Sequence, residues 1–541
     1  MTDLQPTTKQ RGVSTVAACI ALAAVATSAL SQGTQSPDPL GQFDAPAGGS
    51  SVDLFGADLA FATTFAAVSA PSLPVIGGGG GVHLAQGGVH LYRHLGDGEF
   101  AWTRTLTPAG GVANDWCGTS IAASEGWVVA GAPGREVFTP GTQLQAGVGW
   151  LWKLSEGIWV EHPGQLRHPA PKSLDLFGSA IALDEQFIDG ILRSTIAATA
   201  PTDDEVARTD CGSVTLFEWN KIPSPLGTWA QTAFIAPPVL SGESVSLSAY
   251  GLFGSAVAFD GDYLFIGAKR QTGAFIRQGL VWVFRRNTLD NPAPTILQTN
   301  PAWGEWCLVQ RLAADVATQD EQFGASVAAQ GGLLIVGAPG AAAAQGSATI
   351  FELIGDTGTY ALNAQLSAIG GQVGDRFGAA VAITADQALA VGAPGLDTGS
   401  VPMYPDRGAV FIFAREDEQC EAWSQRTKYR PPVTADVPGA NFGESIELGS
   451  SLILIGAPHA PNAILGQGIV FSYEIDIIGC PTDLNGNGFT DGPDLALFLS
   501  HWGGVTSGDE VADFITDGVV DGLDLTHILA TWGPCICAPG G

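Results

Sequence analysis

A mainly β fold is predicted for this chain: seven four-stranded blades closed into a propeller, followed by a small α-helical module built on two loop-helix units. Two observations predict it. One phrase, typified by "DRFGAAVAITADQALAVGAPG" from Asp375 to Gly395, is written seven times. After Ile477 the style changes, and two Asp-rich loops 30 residues apart each lead into a short helical pattern.

The repeats come first, because periods of this length signal propellers or solenoids. Close copies are "EQFGASVAAQGGLLIVGAPG" from Glu321, "ANFGESIELGSSLILIGAPHA" from Ala440, "GLFGSAVAFDGDYLFIGAKR" from Gly251 and "DWCGTSIAASEGWVVAGAPG" from Asp115. Looser copies begin at Asp53 and Asp175. The opening position is Phe55, Cys117, Phe177, Phe253, Phe323, Phe377 and Phe442, at intervals of 54 to 76 residues.

Each copy reads as four strands. In the copy at Phe377, that residue, Ala379, Val381 and Ile383 alternate with small residues and predict a first strand. "TADQ" is a turn. "ALAVGAP" is a second strand, stopped by Pro394, which has no N–H for a ladder. "GAVFIFA" from Gly408 is a third, and a fourth lies around Trp423 and "QRTKYRPP". Fourth strands elsewhere carry Trp102, Trp159, Trp229, Trp306 and Tyr360. Inner strands such as "LLIVGA" are apolar on both faces, as in sheets covered by neighbours on each side. Gly and Ala suit a crowded axis.

The seventh copy ends at "GIVFSYEI" without a fourth strand. The chain before the first copy, "GQFDAPAGGSSVDLFG", parallels "GQLRHPAPKSLDLFG" before Phe177. Residues 41–46 are therefore expected to be the outer strand of the seventh blade, closing the ring and hiding its edges.

This pattern resembles the FG-GAP repeats of the integrin alpha-subunit headpiece, over residues 41–476. The resemblance implies a seven-bladed propeller used for binding or adhesion. Integrin repeats often hold calcium in "DxDxDGxxD" hairpins between strands one and two. The corresponding hairpins here include "SEG", "DGD", "QGG", "TADQ" and "GSS", so no calcium of that kind is expected in the propeller.

Composition narrows the partners. The 541-residue chain carries a net charge of −30, with 14% charged residues. Nucleic acid and anionic membranes, which demand basic patches, are excluded as partners. Residues 1–31 read as a signal peptide: Lys9 and Arg11 precede an apolar run from Val13 to Thr27, and "ALS" at 29–31 offers small residues for cleavage. "VAAC", ending at Cys19, sits too early for a lipoprotein site. No later segment is long and apolar enough for a membrane helix. The expected location is exported: extracellular, cell surface or periplasmic. Seven cysteines remain after cleavage, an odd number in an oxidising compartment.

The propeller thus spans 32–477 and the tail 478–541. In the first tail loop, Asp483, Asn485, Asn487, Asp491 and Asp494 occupy positions 1, 3, 5, 9 and 12, with Gly488 at the turn and the Phe489 carbonyl at position 7. Hard oxygen donors at these offsets are what Ca²⁺ requires. The second loop offers Asp513, Asp517, the Val519 carbonyl, Asp521 and Asp524, but Ile515 supplies no oxygen at position 3, so this site is expected to be weaker. Leu495, Phe498, Leu499 and Trp502, and then Leu525, Ile528, Leu529 and Trp532, mark the helices. Cys480 and Cys535 flank the loops and are expected to pair, with Cys537 as the alternative partner. Two loop-helix units with Asp at position 12 look like a type I dockerin, an EF-hand-like module. That resemblance implies a cohesin partner in polysaccharide-degrading assemblies. Its usual Ser-Thr contact pair is replaced by Gly492-Pro493 and Gly522-Leu523.

The expected binding face consists of the loops joining strands two and three, since function concentrates on loops held by a rigid scaffold. These loops carry Phe138, Asp203, Asp204, Glu205, Arg270, Phe275, Arg277, Tyr404 and Arg407, and the expected ligand is a protein or a glycan. His83, His90 and His94 cluster in blade one and read as packed side chains, since no carboxylate or Cys lies in register for a metal. "GGGGG" at 77–81 lacks the Lys-Ser/Thr of a phosphate loop. No G-x-S-x-G or H-E-x-x-H motif occurs. A non-catalytic adhesion or scaffold protein is the first reading. A glycoside hydrolase, or an accessory of polysaccharide catabolism tethered by the tail, is the rival.

Overall fold

The computed structural model describes residues 39–46, 53–77, 80–96, 98–138, 141–188, 191–204, 208–220, 227–240, 249–288, 292, 295–368, 371–384, 387–396, 406–415, 423–432, 437–449, 451–460, 467–475, 484, 489–490, 492–504, 512, 519–530 and 532–534. The signal-peptide segment, Cys480 and Cys535 lie outside them.

Seven four-stranded antiparallel sheets are present. Blade five is typical: Ser326–Gln330, Leu333–Ala338, Ser347–Ile354 and Thr359–Leu366 follow one another outward from the axis. First strands from all seven blades, including Ala60, Ala122, Ala182, Ala258, Ala328, Ala382 and Leu448, surround an axial channel of about 310 Å³. Second strands such as Leu333–Ala338 and Leu452–Ala457 are buried along their whole length. The apolar core lies between blades. One cluster joins Phe265 and Val283 of blade four to Leu334 and Val336 of blade five, and another joins Ile335 and Phe377 to Val391 and Phe411 of blade six.

The repeated phrase explains how blades are joined. Phe377 was expected to open its first strand, but that strand is only Val381–Ile383. Phe-Gly forms a clasp instead. The Phe377 N–H donates to the Gln345 carbonyl, just before the third strand of the preceding blade. All seven copies make this bond, from Phe55, Cys117, Phe177, Phe253, Phe323, Phe377 and Phe442, at 2.9 to 3.0 Å. In blade four alone the first strand does begin at the motif, as Phe253–Asp260.

Local chemistry supports the clasp. The residue before the aromatic has a left-handed φ in all seven copies, from Leu176 at 53° to Gln322 at 61°. For a residue with a side chain this costs of order 1 kcal/mol or more. The cost is offset by burying the aromatic completely, worth about 1.5–3 kcal/mol each, and by the hydrogen bonds. The Gly378 N–H donates to the Gly392 carbonyl of its own Gly-Ala-Pro (2.9 Å). A Cβ on Gly392 would in turn overlap the carbonyl of the next clasp glycine, Gly443. Phe-Gly and Gly-Ala-Pro therefore recur together because they touch.

The outer strand of blade seven is Gly41–Asp44, paired antiparallel with Ile469–Glu474 in the register Phe43 to Val470. The strand is two residues shorter than expected. Phe43 is buried against Tyr92 and Phe100, and the Tyr92 hydroxyl donates to the Asp44 carbonyl (2.7 Å). Of "GGGGG", Gly77, Gly80 and Gly81 lie between the strands of a small hairpin, Val75–Ile76 with Val82–His83. The Asp260 carboxylate accepts the Gly331 and Gly332 N–H groups of blade five. His90 packs on Phe55 and meets the Thr105 hydroxyl, while His94 stacks on Phe100.

The tail contains two nine-residue helices, Gly492–Ser500 and Gly522–Ala530. Phe489–Thr490 pairs with Gly533–Pro534, and Gly503–Gly504 pairs with Val519–Val520. Each loop centre thus joins the residues that end the other helix. Phe498, Ala512, Val520 and Ile528 form the small core.

Two predictions follow from the blade contacts. Gly346, before a third strand, has φ 88°, and a Cβ there would overlap the Phe377 carbonyl oxygen. Gly346→Ala is expected to destabilise by about 3 kcal/mol, against about 1 kcal/mol for Gly331→Ala at an open hairpin (φ 62°). Chemical denaturation of both variants checks the order; equal losses would contradict the clasp.

The second concerns Glu447, on the channel wall of blade seven. Burial, and then the nearby Asp58 charge, raise its carboxyl from 4.5 to about 8, against a backbone hydrogen bond from Phe61. The folded chain keeps this proton where the unfolded chain has lost it, so stability falls as pH rises from about 4.5 to about 8. Glu447→Gln is expected to raise Tm at pH 8 and change it little at pH 4.5. Parallel melting curves across that range would refute this.

Candidate functional site

The clasps fix one end of the ring. Each ties the entrance of a blade to the residue preceding the third strand of its neighbour. The loops joining strands two and three therefore emerge beside the segments that lead into the clasps, on what is termed the upper face.

Among the described residues, large apolar side chains are exposed there, most of them on blades one to four, with Val316 and Val373 on the approaches to the clasps of blades five and six. Ile76 is 75% exposed on the blade-one hairpin, and Phe138 is 69% exposed on its blade-two counterpart, Val137–Phe138 with Thr142–Gln143. Leu144, Phe275 and Ile276 join them from loops, and Leu174 and Tyr250 from the approaches to clasps. Leu174 and Tyr250 have left-handed φ and donate their N–H groups to Leu144 and Thr209, which holds their side chains outward on a fixed backbone.

Blade three carries a groove of about 780 Å³ beside these residues, lined by His168, Pro169, Ala170, Lys172, Asp203, Asp204, Gln231 and Phe234. Its floor is a buried polar network. His168 Nδ1 accepts the Ala170 N–H (3.2 Å), which leaves the ring proton on Nε2. Nε2 lies 3.2 Å from both Asp203 Oδ2 and Ser213 Oγ. The other Asp203 oxygen receives Lys172 Nζ (2.8 Å), and Lys172 also donates to the Asp204 carbonyl. The Asp175 carboxylate accepts the Lys172 N–H (2.6 Å) and lies 3.9 Å from His168 Nδ1.

The two carboxylates diverge. Burial pushes Asp203 up, but hydrogen bonds from His168 and Lys172 outweigh it and hold the group below its usual range. Asp175 is raised to about 6, first by burial and then by the Asp203 charge. Serine, histidine and aspartate are close here, as in a nucleophilic site. However, a base for Ser213 needs an unprotonated Nε2, and Ser213 is fully buried within a strand. The network is a brace that holds the half-exposed Lys172 at the groove.

Of the residues expected on this face, Phe138 and Phe275 are exposed. Arg270 and Arg277 are exposed too, with Arg277 Nε 2.6 Å from Asp320. Asp204 is exposed and accepts the Asp210 N–H (2.8 Å). Asp203 is buried and engaged, so it supports the groove from beneath. Arg407 is half-buried, and its carbonyl serves the Phe442 clasp. Glu205 and Tyr404 lie outside the described residues. His168, Lys172, Gln231 and Phe234 were missed because they come from the approach to a clasp and an outer strand. No local motif marks them.

In the tail, Asp494 and Asp524 are fully buried in the first turns of the two helices. Asp521 Oδ1 accepts the Leu523 N–H (2.7 Å), and Asp524 Oδ2 accepts the Asp521 N–H (2.9 Å), a reciprocal cap of the helix start. Phe489 and Val519 lie on the paired loop centres. Asp483, Asn485, Asn487, Asp491, Asp513 and Asp517 lie outside the described residues. Among those described, no group of three or more His, Cys, Asp or Glu is placed to hold a metal. Also among them, no helix is long and apolar enough to cross a membrane.

Comparison with known proteins bears on the repeats. The FG-GAP repeat family matches residues 306–351 and 360–413. Each match starts on the outer strand of one blade and ends in the third strand of the next. No curated protein matches the sequence. Among solved structures, a Bacteroides fragilis protein assigned provisionally as a 6-phosphogluconolactonase aligns with 12% identity and a TM-score of 0.38, over 74% of this chain and 86% of that one. That likeness is too low to inform fold or activity. The chain thus matches FG-GAP repeats over residues 306–351 and 360–413, within seven four-stranded blades that form a β-propeller.

Proposed function

We propose that this chain is an exported, non-catalytic adhesion or scaffold protein that binds a protein ligand on its upper face. The exposed apolar side chains of blades one to four carry this reading. Exposed apolar residues gathered on one face mark interaction surfaces, and aliphatic tips such as Ile76 and Ile276 suit a protein better than a glycan. Arg270 and the braced Lys172 add fixed positive charge to an otherwise acidic molecule. Export rests on the signal-peptide pattern of residues 1–31.

The tail is proposed to bind up to two Ca²⁺. The pair Asp494 and Asp524, at position 12 of two matching loop-helix units, supports this, because position 12 of such a loop supplies a carboxylate ligand. The loops would supply Asp483, Asn485 and Asn487, and more weakly Asp513 and Asp517, with Asp521 doubling as a helix cap. The second reading, an accessory of polysaccharide degradation docked through a cohesin-like partner, is favoured by the same paired units. A glycoside hydrolase belongs to that reading.

Three measurements test this. Immobilised full-length chain is screened against extracellular proteins and glycans, and Phe138→Ser with Ile276→Ser is expected to weaken the protein hit about 30-fold with unchanged Tm. Glycan hits alone, or release of sugar from polysaccharide, would favour the second reading. Calcium calorimetry of the full chain is expected to show two events, with Asp483→Ala costing more affinity than Asp513→Ala; absence of calcium heat would exclude the tail site. Peptide mapping of unreduced protein is expected to find Cys480 joined to Cys535, and a free Cys480 would exclude that bridge.

A further inference from the structure

The opposite end of the channel is built differently. There the hairpins joining first and second strands surround a cavity of about 540 Å³, within the usual ~300–1,000 Å³ of small-ligand sites. Six blades converge on it, contributing Thr63, Glu125, Glu185, Gln330, Thr384 and Ser451. Phe61 and His94 form one wall, with Phe100 stacked behind His94 at 4.8 Å.

The two carboxylates are held in place. Glu125 accepts the Thr64 N–H (3.1 Å) and hydroxyl (2.7 Å), and Glu185 accepts the Ser194 hydroxyl (2.8 Å). An ionised carboxylate has about four acceptor positions, so each keeps capacity toward the cavity. Among the described lining residues none is Lys or Arg.

Hydroxyls and an amide, fixed acceptors and an aromatic wall together suit a ring rich in hydroxyl groups. The acids add a sign: they attract a protonated amine and repel a uronate or sulfate. We infer that this lower mouth is a second binding site, on the face opposite the proposed protein-binding one, that takes the end of an amine-bearing glycan. It is independent of the upper-face reading.

Calorimetry of the full-length chain with three probes tests this: a glucosamine tetramer, an N-acetylglucosamine tetramer and a galacturonate tetramer. The glucosamine tetramer is expected to bind at least tenfold tighter than the other two. Glu125→Gln with Glu185→Gln should remove that preference, and Gln330→Ala should weaken binding about fivefold, both with unchanged Tm. Phe138→Ser on the upper face should leave binding intact. Equal or tighter binding of the acetylated or uronate probe would overturn the inference, as would no saccharide heat at millimolar concentration. A lysine-rich peptide is titrated as a fourth, control probe, and its equal binding would show a bare cation site and overturn the inference as well.

Discussion

The Phe-Gly clasp is the interaction on which the rest of this protein depends. A four-stranded blade is apolar on both faces and cannot be stable alone, because each face needs a neighbour. The clasp supplies the neighbour in fixed register. One backbone N–H crosses to the preceding blade, a buried aromatic fills the space behind it, and the following glycine bonds its own Gly-Ala-Pro carbonyl. Close approach there leaves no room for a Cβ on Gly337, Gly392 or Gly456. The looser copies place Ser69 and Thr199 at the corresponding position, and both donate from their backbone to their own blade. Cys117 replaces the aromatic once and is equally buried, so the position requires an apolar plug more than a ring.

Side chains reinforce the same seams. The Asp58 carboxylate of blade one accepts the Ile121 N–H of blade two (2.7 Å), the Ser120 hydroxyl accepts the Ile181 N–H of blade three (2.9 Å), and the Ser445 hydroxyl of blade seven donates to the Gly56 carbonyl (2.6 Å). Burial raises Asp58 to about 6 even though backbone N–H groups from Ile121 and Leu59 oppose it. Acidic side chains at blade junctions therefore exchange some neutral-pH stability for directional contacts that hydrophobic packing cannot provide.

Ring closure by a strand from the opposite end of the chain follows from the offset between repeat and blade. Both matched repeats begin on an outer strand, and the strand before the first copy, Gly41–Asp44, likewise serves as an outer strand, in the last blade. The two faces then differ by construction. Clasps and the loops joining strands two and three form the upper face, whose described tips expose apolar side chains. Short hairpins form the lower mouth, which is polar and acidic.

The sequence by itself determined the blade count, the strand order and the closing strand, because each depends on local periodicity or a short repeat. Only the tertiary structure decided what Phe-Gly does. Its partner lies in the preceding blade, about thirty residues upstream, and the alternation that starts at Phe377 looks like a strand until that partner is in place. Asp203 shows the same limit. In the sequence it is one of three consecutive loop acids, yet His168 and Lys172 reach it from another segment and pull it inside, while Asp204 stays in solvent. The lower mouth was wholly illegible, since it is assembled from residues of six blades that are near one another only when the ring is closed.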